Sequence, residues 1–144
     1  MAAGAVIYAD VRVVLEHPVD AVWAAVAEFG RIDRWAAGVS SCTADGHGPG
    51  MIRTVSLAGR KVREQLETID PAGRSLSYRI LPPHGLPAAD VRSEINLIQC
   101  DDGVAMRWRS VATDLEVPAE QLGARIEGFY RRSIEGLDRL LRGG

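Results

Sequence analysis

The C-terminal stretch of residues 118–142 reads PAEQLGARIEGFYRRSIEGLDRLLR. Its apolar residues recur at steps of three and four, which predicts a long helix with one broad apolar face. Pro118 suits the first helical position, because its missing N–H would be unpaired there, and Gly143 follows as a stop. A helix of about 25 residues is roughly 37 Å long and needs a large apolar surface to pack against. Its apolar face consists of Leu122, Ile126, Phe129, Tyr130, Ile134, Leu137, Leu140 and Leu141.

The segment before this helix predicts the sheet that supplies such a surface. Residues 7–15 alternate in polarity, which is typical of a strand, and two short helices are predicted at residues 18–29 and 31–37. From Val39 onward the apolar period is two, interrupted by turn residues. Further strands are therefore predicted at residues 39–43, 51–57, 61–69, 75–81, 90–99 and 104–113. One strand, two helices, about six strands and a long helix make an α+β arrangement.

The alternation within each strand assigns residues to two faces, because antiparallel hairpins have one buried and one wet face. In the first strand the apolar residues from Ile7 to Leu15 share one face, and Tyr8 lies on the other. In the later strands Arg53, Glu64 and Tyr78 all fall on the inward face. A two-residue turn at Gly59-Arg60 would make Arg53 and Glu64 diagonal neighbours.

Composition narrows the class of protein. The chain has 144 residues, of which 47% are hydrophobic, so a single domain covering residues 1–144 is predicted. Its net charge of −2 gives no electrostatic case for nucleic acid or an anionic membrane as partner. Residues 1–6 lack a basic segment and a long apolar run, so no signal peptide or membrane-inserted helix is predicted. A cytoplasmic protein with two free thiols is therefore predicted. The chain has many arginines and only one lysine, Lys61, and this composition indicates a GC-rich bacterial gene.

Short motifs recur along nearly the whole chain: the Pro-x-x-x-Val-Trp run ending at Trp23, Trp35, Gly50-Met51-Ile52-Arg53, Glu64-Gln65-Leu66, Tyr78-Arg79-Ile80, Leu86-Pro87, Met106-Arg107-Trp108 and Gly136-Leu137-x-x-Leu140. Together with the order of elements, they resemble the helix-grip fold of the START and birch-pollen-allergen (SRPBCC) superfamily, and most closely its small bacterial polyketide cyclase/dehydrase-like branch. The resemblance implies a curved antiparallel sheet of six to seven strands around the C-terminal helix, with a hydrophobic cavity between them.

The same resemblance implies three functions. The first is binding of a hydrophobic, oxygen-bearing small molecule in the cavity by a polyketide cyclase or dehydratase-like protein, which would catalyse an aldol cyclisation or a dehydration. The second is a non-catalytic carrier or sensor of a lipid, isoprenoid or quinone. The third is a co-chaperone-like interaction module, for which we expect a filled core. No cofactor is implied, and the protein is expected to be a monomer or a homodimer.

Arg53 and Glu64 are the foremost candidates for chemistry, because charges that face a cavity must be paired or hydrogen-bonded. They form either a structural ion pair or a site in which Arg53 holds a ligand oxygen while Glu64 moves a proton. Tyr78, on the same face, is either a core ring or a hydrogen-bonding group for a ligand. His84 lies in a proline-rich loop that borders the cavity mouth in this fold, where it would be an acid or base near neutral pH.

The predicted ligand-binding residues are the apolar and small polar side chains of the inward faces. The three histidines share no ligand spacing, so no metal site is predicted. Gly123 and Gly136 each disfavour the long helix by about 1 kcal/mol against alanine. Either close approach of the sheet or space for a ligand would explain them. The predicted ligand-binding residues are Trp35, Val55, Leu66, Ile80, Ser93, Ile95, Met106, Trp108, Ser110, Ile126, Phe129 and Tyr130.

Overall fold

A computed structural model describes residues 4–143. Residues 1–3, part of the segment in which no signal peptide is predicted, lie outside the described residues. No helix within 4–143 has the length and apolar character needed to cross a membrane. In chain order the elements are β1 (Val6–Leu15), α1 (Val19–Ala27), a 3-10 helix (Phe29–Arg34), β2 (Val39–Asp45), β3 (Ile52–Leu57), β4 (Arg60–Asp70), β5 (Ser75–Ile80), β6 (Ala89–Cys100), β7 (Gly103–Thr113) and α2 (Ala119–Leu141).

The seven strands form one curved antiparallel sheet in the order β1-β7-β6-β5-β4-β3-β2. Strands β2 to β7 pair with their neighbours in sequence, and β1 pairs with β7 as an edge strand of the sheet. The apolar face of α2 packs on the inner face of the sheet, where Leu122, Ile134 and Leu137 are almost completely buried. This confirms the predicted helix-grip architecture.

Both helices between β1 and β2 differ from the prediction. α1 is shorter than predicted, and the second helix is a 3-10 helix at Phe29–Arg34 instead of a helix over residues 31–37. Arg31 interrupts it with φ −127° and ψ 34°, which no regular helix allows. Pro118 is the N-cap of α2 and not its first helical residue, because its ψ of 140° is extended.

A β-bulge in β1 reverses the predicted orientation of two residues. The pairing of β1 with β7 shifts register between Ile7 and Ala9, and an extra residue in one strand changes which face the next side chains occupy. Ile7 is consequently 54% exposed, and Tyr8 is buried with 6% exposure. The prediction that placed Ile7 with the buried face and Tyr8 opposite was wrong at these two positions.

The β3–β4 hairpin turns one residue earlier than predicted. Leu57 pairs with Arg60, so the turn is Ala58-Gly59 and not Gly59-Arg60. Ala58 and Gly59 have φ of 51° and 79°, the left-handed conformation that a two-residue hairpin of the I′ type requires at both positions. In this register Arg53 lies directly opposite Glu64, whereas a diagonal arrangement was predicted.

The two glycines on the buried side of α2 permit close approach of backbone to backbone. A Cβ atom at Gly123 would lie 2.1 Å from the Tyr8 carbonyl oxygen, and one at Gly136 would lie 2.1 Å from the Trp35 carbonyl oxygen. Neither position has room for any side chain. Of the two explanations predicted for these glycines, the structure therefore supports close packing.

Candidate functional site

A cavity of about 440 Å³ lies between the inner face of the sheet and α2. This volume is within the usual range for small-molecule sites. Most of its wall is apolar, and a few polar side chains project from β1, β3, β4, β5 and α2. The lining residues are Tyr8, Ile32, Ala37, Gly38, Val39, Arg53, Val55, Leu57, Ala58, Arg60, Val62, Glu64, Tyr78, Ile80, His84, Leu86, Trp108, Arg125, Ile126, Phe129, Tyr130 and Arg132.

The structure separates the predicted site residues into two groups. All four candidates for chemistry line the cavity, as do six of the twelve predicted ligand-binding residues: Val55, Ile80, Trp108, Ile126, Phe129 and Tyr130. The remaining six are buried in the core and do not line the cavity. They are Trp35, Leu66, Ser93, Ile95, Met106 and Ser110.

Arg53 is held in one position by contacts on several sides. Its side chain is 4% exposed. Nε donates to Glu64 Oε1 at 2.7 Å, and Nη1 donates to the Phe29 carbonyl at 3.0 Å. The guanidinium stacks 3.8 Å from the Phe29 ring centroid and 4.7 Å from that of Tyr78. Nη2 makes no hydrogen bond to residues 4–143, so a rigidly held cationic donor remains at the cavity wall.

Glu64 is the one carboxylate among the lining residues of this cavity. Oε1 accepts from Arg53, and the side chain keeps 14% exposure. Because a carboxylate has two oxygens with about four acceptor positions, Oε2 is left for a ligand hydroxyl, a proton or water. The pair therefore presents a cationic donor beside an anionic acceptor.

A network of hydroxyl groups crosses the inner end of the cavity. Ser110 Oγ donates to the Arg92 carbonyl at 3.0 Å, and Ser93 Oγ donates to Ser110 Oγ at 3.0 Å. Tyr8 OH lies 2.5 Å from Ser110 Oγ, and Tyr130 OH lies 3.2 Å from Ser93 Oγ. Ser93 and Ser110, predicted as ligand contacts, thus orient the tyrosines that line the cavity.

Trp108 and Tyr130 form the floor of the cavity beside this network. Their rings are stacked with centroids 4.0 Å apart, and the Trp108 indole N–H donates to Tyr78 OH at 3.1 Å. Trp35 packs behind Trp108 with a centroid distance of 5.7 Å. These contacts hold the Trp108 ring in place, and the Tyr78 hydroxyl keeps its own proton to donate.

His84 lines the mouth of the cavity. Its Nδ1 accepts a hydrogen bond from the Leu86 backbone N–H at 3.0 Å, so the proton of the neutral ring is on Nε2. Burial lowers the pKa of His84 below its ordinary value. The imidazole is therefore neutral at physiological pH and offers one N–H.

Sequence reasoning missed Tyr8 and three arginines of the lining. Arg60, Arg125 and Arg132 are exposed at the mouth, and none of the ion pairs within the described part of the chain includes them. Arg60 begins β4, whereas the other two lie on the polar side of α2, so no spacing in the sequence relates them. Tyr8 was missed because strict alternation cannot reveal a bulge.

All three tyrosines of the chain line this cavity, and burial raises the pKa of each phenol. A phenol whose pKa is higher in the folded state contributes stability that is fully present below the unfolded pKa of about 10 and is lost as pH rises. We expect no tyrosine to titrate normally in an alkaline absorbance titration of tyrosinate. Ionisation should instead coincide with loss of the near-ultraviolet circular dichroism. A tyrosine that titrates with a midpoint near 10 in the folded protein would contradict the burial described above.

Metal ligands do not assemble near the cavity. Within residues 4–143 no group of three or more His, Cys, Asp or Glu side chains is placed so that it could hold a metal ion.

Comparison with known proteins gives one family and several structural relatives. A family model described as polyketide cyclase/dehydrase and lipid transport matches residues 7–142. The protein XoxI from Bacillus cereus superposes with a TM-score of 0.82 at 18% identity, covering 96% of this chain and 95% of that one. A protein from Thermobifida fusca, solved by NMR in solution, has a TM-score of 0.82 at 24% identity, with 92% and 91% covered.

Ara h 8.0201 is a further structural relative. Its TM-score is 0.79 at 15% identity, and the match covers 98% of this chain and 100% of that one. At these identities the structural likeness shows the fold alone. The comparison with curated proteins finds no match.

Proposed function

Since the chain belongs to the polyketide cyclase/dehydrase and lipid transport family, we propose that it binds a hydrophobic, oxygen-bearing small molecule in the cavity between the sheet and α2. The observation that carries this proposal is a mainly apolar cavity of about 440 Å³ with a few polar side chains at fixed positions. Apolar walls supply affinity, and a few fixed polar groups orient the ligand.

The finer proposal is a polyketide cyclase or dehydratase-like reaction. Nη2 of Arg53 would hold a carbonyl oxygen and stabilise the negative charge that develops on it in an enolate. The free oxygen of Glu64 would accept the proton from the adjacent carbon. Tyr78 would donate a second hydrogen bond to the same carbonyl oxygen, and the stacked rings of Trp108 and Tyr130 would hold the chain of the substrate folded.

A non-catalytic carrier is the second candidate, and one specific observation favours it. Arg53 already binds Glu64 and the Phe29 carbonyl, and it is stacked against two rings. These contacts would stabilise the fold even if no reaction took place, so they are explained without a catalytic role for Arg53. The third candidate, a co-chaperone-like module, required a filled core, and the cavity argues against it.

Native mass spectrometry of the protein as purified tests the binding proposal. We expect a co-purifying apolar compound, or binding of added 2-naphthol with a stoichiometry of one. Ligand binding in the cavity would be contradicted if no compound co-purified and added 2-naphthol did not bind.

Replacement of Glu64 by glutamine separates the enzyme from the carrier. The model substrate is 2,6-heptanedione, whose intramolecular aldol closure and dehydration give a conjugated enone that absorbs in the ultraviolet. If the protein is an enzyme, Glu64→Gln should lower turnover by about 100-fold or more while 2-naphthol still binds. Glu67→Gln is the matched control on β4, because Glu67 pairs with Arg92 away from the cavity. Equal turnover by the wild type and Glu64→Gln would exclude Glu64 as the base.

A further inference from the structure

The direction of each hydrogen bond in the hydroxyl network is fixed by a backbone carbonyl. The single proton of Ser110 goes to the Arg92 carbonyl, and the single proton of Ser93 goes to Ser110. A hydroxyl has one donor and two acceptor positions. The contacts that remain must therefore be donated by the tyrosines, Tyr8 to Ser110 and Tyr130 to Ser93.

This count makes one wall of the cavity an acceptor wall, which we define as the hydroxyl oxygens of Tyr8 and Tyr130. Both protons are already donated to the serines, so towards the cavity these oxygens have only lone pairs. Both residues are buried, with 6% and 3% exposure. A buried acceptor without a partner is unfavourable, and a ligand hydroxyl or N–H would supply one.

The opposite polarity is found at Arg53 and Tyr78, which we call the donor wall. Tyr78 OH accepts from the Trp108 indole N–H and therefore keeps its own proton to donate. The guanidinium of Arg53 lies 4.7 Å from the Tyr78 ring centroid and keeps Nη2 free. Two donors on neighbouring side chains suit one carbonyl or other acceptor oxygen of a ligand.

We infer that the ligand is a hydroxylated carbonyl compound, with its carbonyl oxygen on the donor wall and a hydroxyl proton on the acceptor wall. This inference rests on the proposed binding function and adds a polarity requirement to it. A purely apolar ligand or one with acceptors alone leaves Tyr8 and Tyr130 unsatisfied. Discrimination between such ligands is strong when a site contains buried polar groups that only the correct ligand satisfies.

A set of naphthalene probes tests the inference by isothermal titration calorimetry. The probes are naphthalene, 2-methoxynaphthalene, 2-naphthol, 2-acetylnaphthalene and 6-hydroxy-2-acetylnaphthalene. We expect 2-naphthol to bind about three- to tenfold more tightly than 2-methoxynaphthalene, because one net hydrogen bond contributes about that much to affinity. The probe 6-hydroxy-2-acetylnaphthalene should bind most tightly, because it can bond to both walls.

Two variants assign each preference to its wall. Tyr8→Phe with Tyr130→Phe should abolish the preference for 2-naphthol over 2-methoxynaphthalene and leave naphthalene binding unchanged. Tyr78→Phe should lower the preference for 2-acetylnaphthalene over naphthalene, because only Arg53 then remains as a donor on that wall, and should leave the first preference intact. Naphthalene itself is the control for folding and cavity shape, because it makes no hydrogen bonds.

The outcomes distinguish this inference from the binding proposal. If naphthalene binds and the hydroxylated probes bind no more tightly, the polarity requirement is overturned and ligand binding stands. If the preferences persist unchanged in the variants, the walls are assigned wrongly and the inference is overturned. If no probe binds, the binding proposal fails and the inference fails with it.

Discussion

Replacing Glu64 by leucine is expected to lower the free energy of unfolding by about 3–5 kcal/mol, because it leaves the guanidinium of Arg53 buried without its anion. Arg53 is only 4% exposed, so water solvates the unpaired charge less well than the lost carboxylate did. The remaining bond to the Phe29 carbonyl satisfies one donor but does not neutralise the charge. Urea denaturation should give the loss as a lower midpoint with an unchanged m-value.

The double variant Arg53→Leu with Glu64→Leu separates the penalty for an unpaired charge from the loss of contacts. Replacing both members of a buried ion pair by apolar residues is often nearly neutral, so most of the stability should return. Glu67→Leu is the matched control on the same strand, because Glu67 and Arg92 are 31% and 44% exposed and such pairs contribute below about 1 kcal/mol. A double variant as unstable as the single one would assign the effect to lost packing.

Together with the Glu64→Gln experiment, these variants distinguish a structural role of the Arg53–Glu64 pair from a catalytic one. Glutamine keeps an acceptor oxygen for Arg53 Nε and removes only the charge and the basicity, whereas leucine removes all three. A fold that depends on the pair and a reaction that depends on the carboxylate therefore give different patterns. If the leucine variant is unstable and the glutamine variant is stable but inactive, the pair is catalytic as well as structural.

The features of the fold that follow from periodicity could be predicted from the sequence. The apolar period of residues 118–142 indicated α2, and alternation placed Arg53, Glu64 and Tyr78 on the inward face. Both predictions depend on side-chain direction alone, which is uniform along an unbroken helix or strand. The helix-grip architecture was predicted from the order of these elements together with the resemblance to a known superfamily.

The features that depend on a single irregular residue could not be predicted. The bulge between Ile7 and Ala9 turns Tyr8 inward, and nothing in an alternating sequence marks the position of an extra residue. The turn at Ala58-Gly59 requires alanine with φ of 51°, a conformation that is uncommon for residues with a Cβ atom. Local preference therefore favoured Gly59-Arg60, and tertiary packing selected the other register.

The mouth of the cavity illustrates a different limit. Arg60 comes from the start of β4, and Arg125 and Arg132 come from α2. Only the wrapping of the sheet around the helix brings these elements to one opening. Their polar positions in each separate element are typical of solvated charges, so local pattern gave no reason to group them.

Gly123→Ala is expected to lower the free energy of unfolding by about 2–3 kcal/mol, in opposition to the general helix preference for alanine. The added Cβ would lie 2.1 Å from the Tyr8 carbonyl oxygen, which is backbone and cannot rotate away. α2 would have to move from the sheet. Overpacking costs about 1–3 kcal/mol and occasionally more, and because the obstructing atom is backbone we expect a cost of about 3–4 kcal/mol here, from which the gain of about 1 kcal/mol in helix propensity is subtracted.

Gly128→Ala is the matched control in the same helix, because the contact closest to its Cβ would be the end of the flexible Arg132 side chain at 3.1 Å. We expect this variant to be about 0.5–1 kcal/mol more stable than the wild type. Urea denaturation of both variants should therefore give opposite signs. Because the obstructing carbonyl belongs to Tyr8, Gly123→Ala should also weaken the preference for 2-naphthol over 2-methoxynaphthalene. Equal stability of the two variants would mean that α2 does not lie as close to β1 as described.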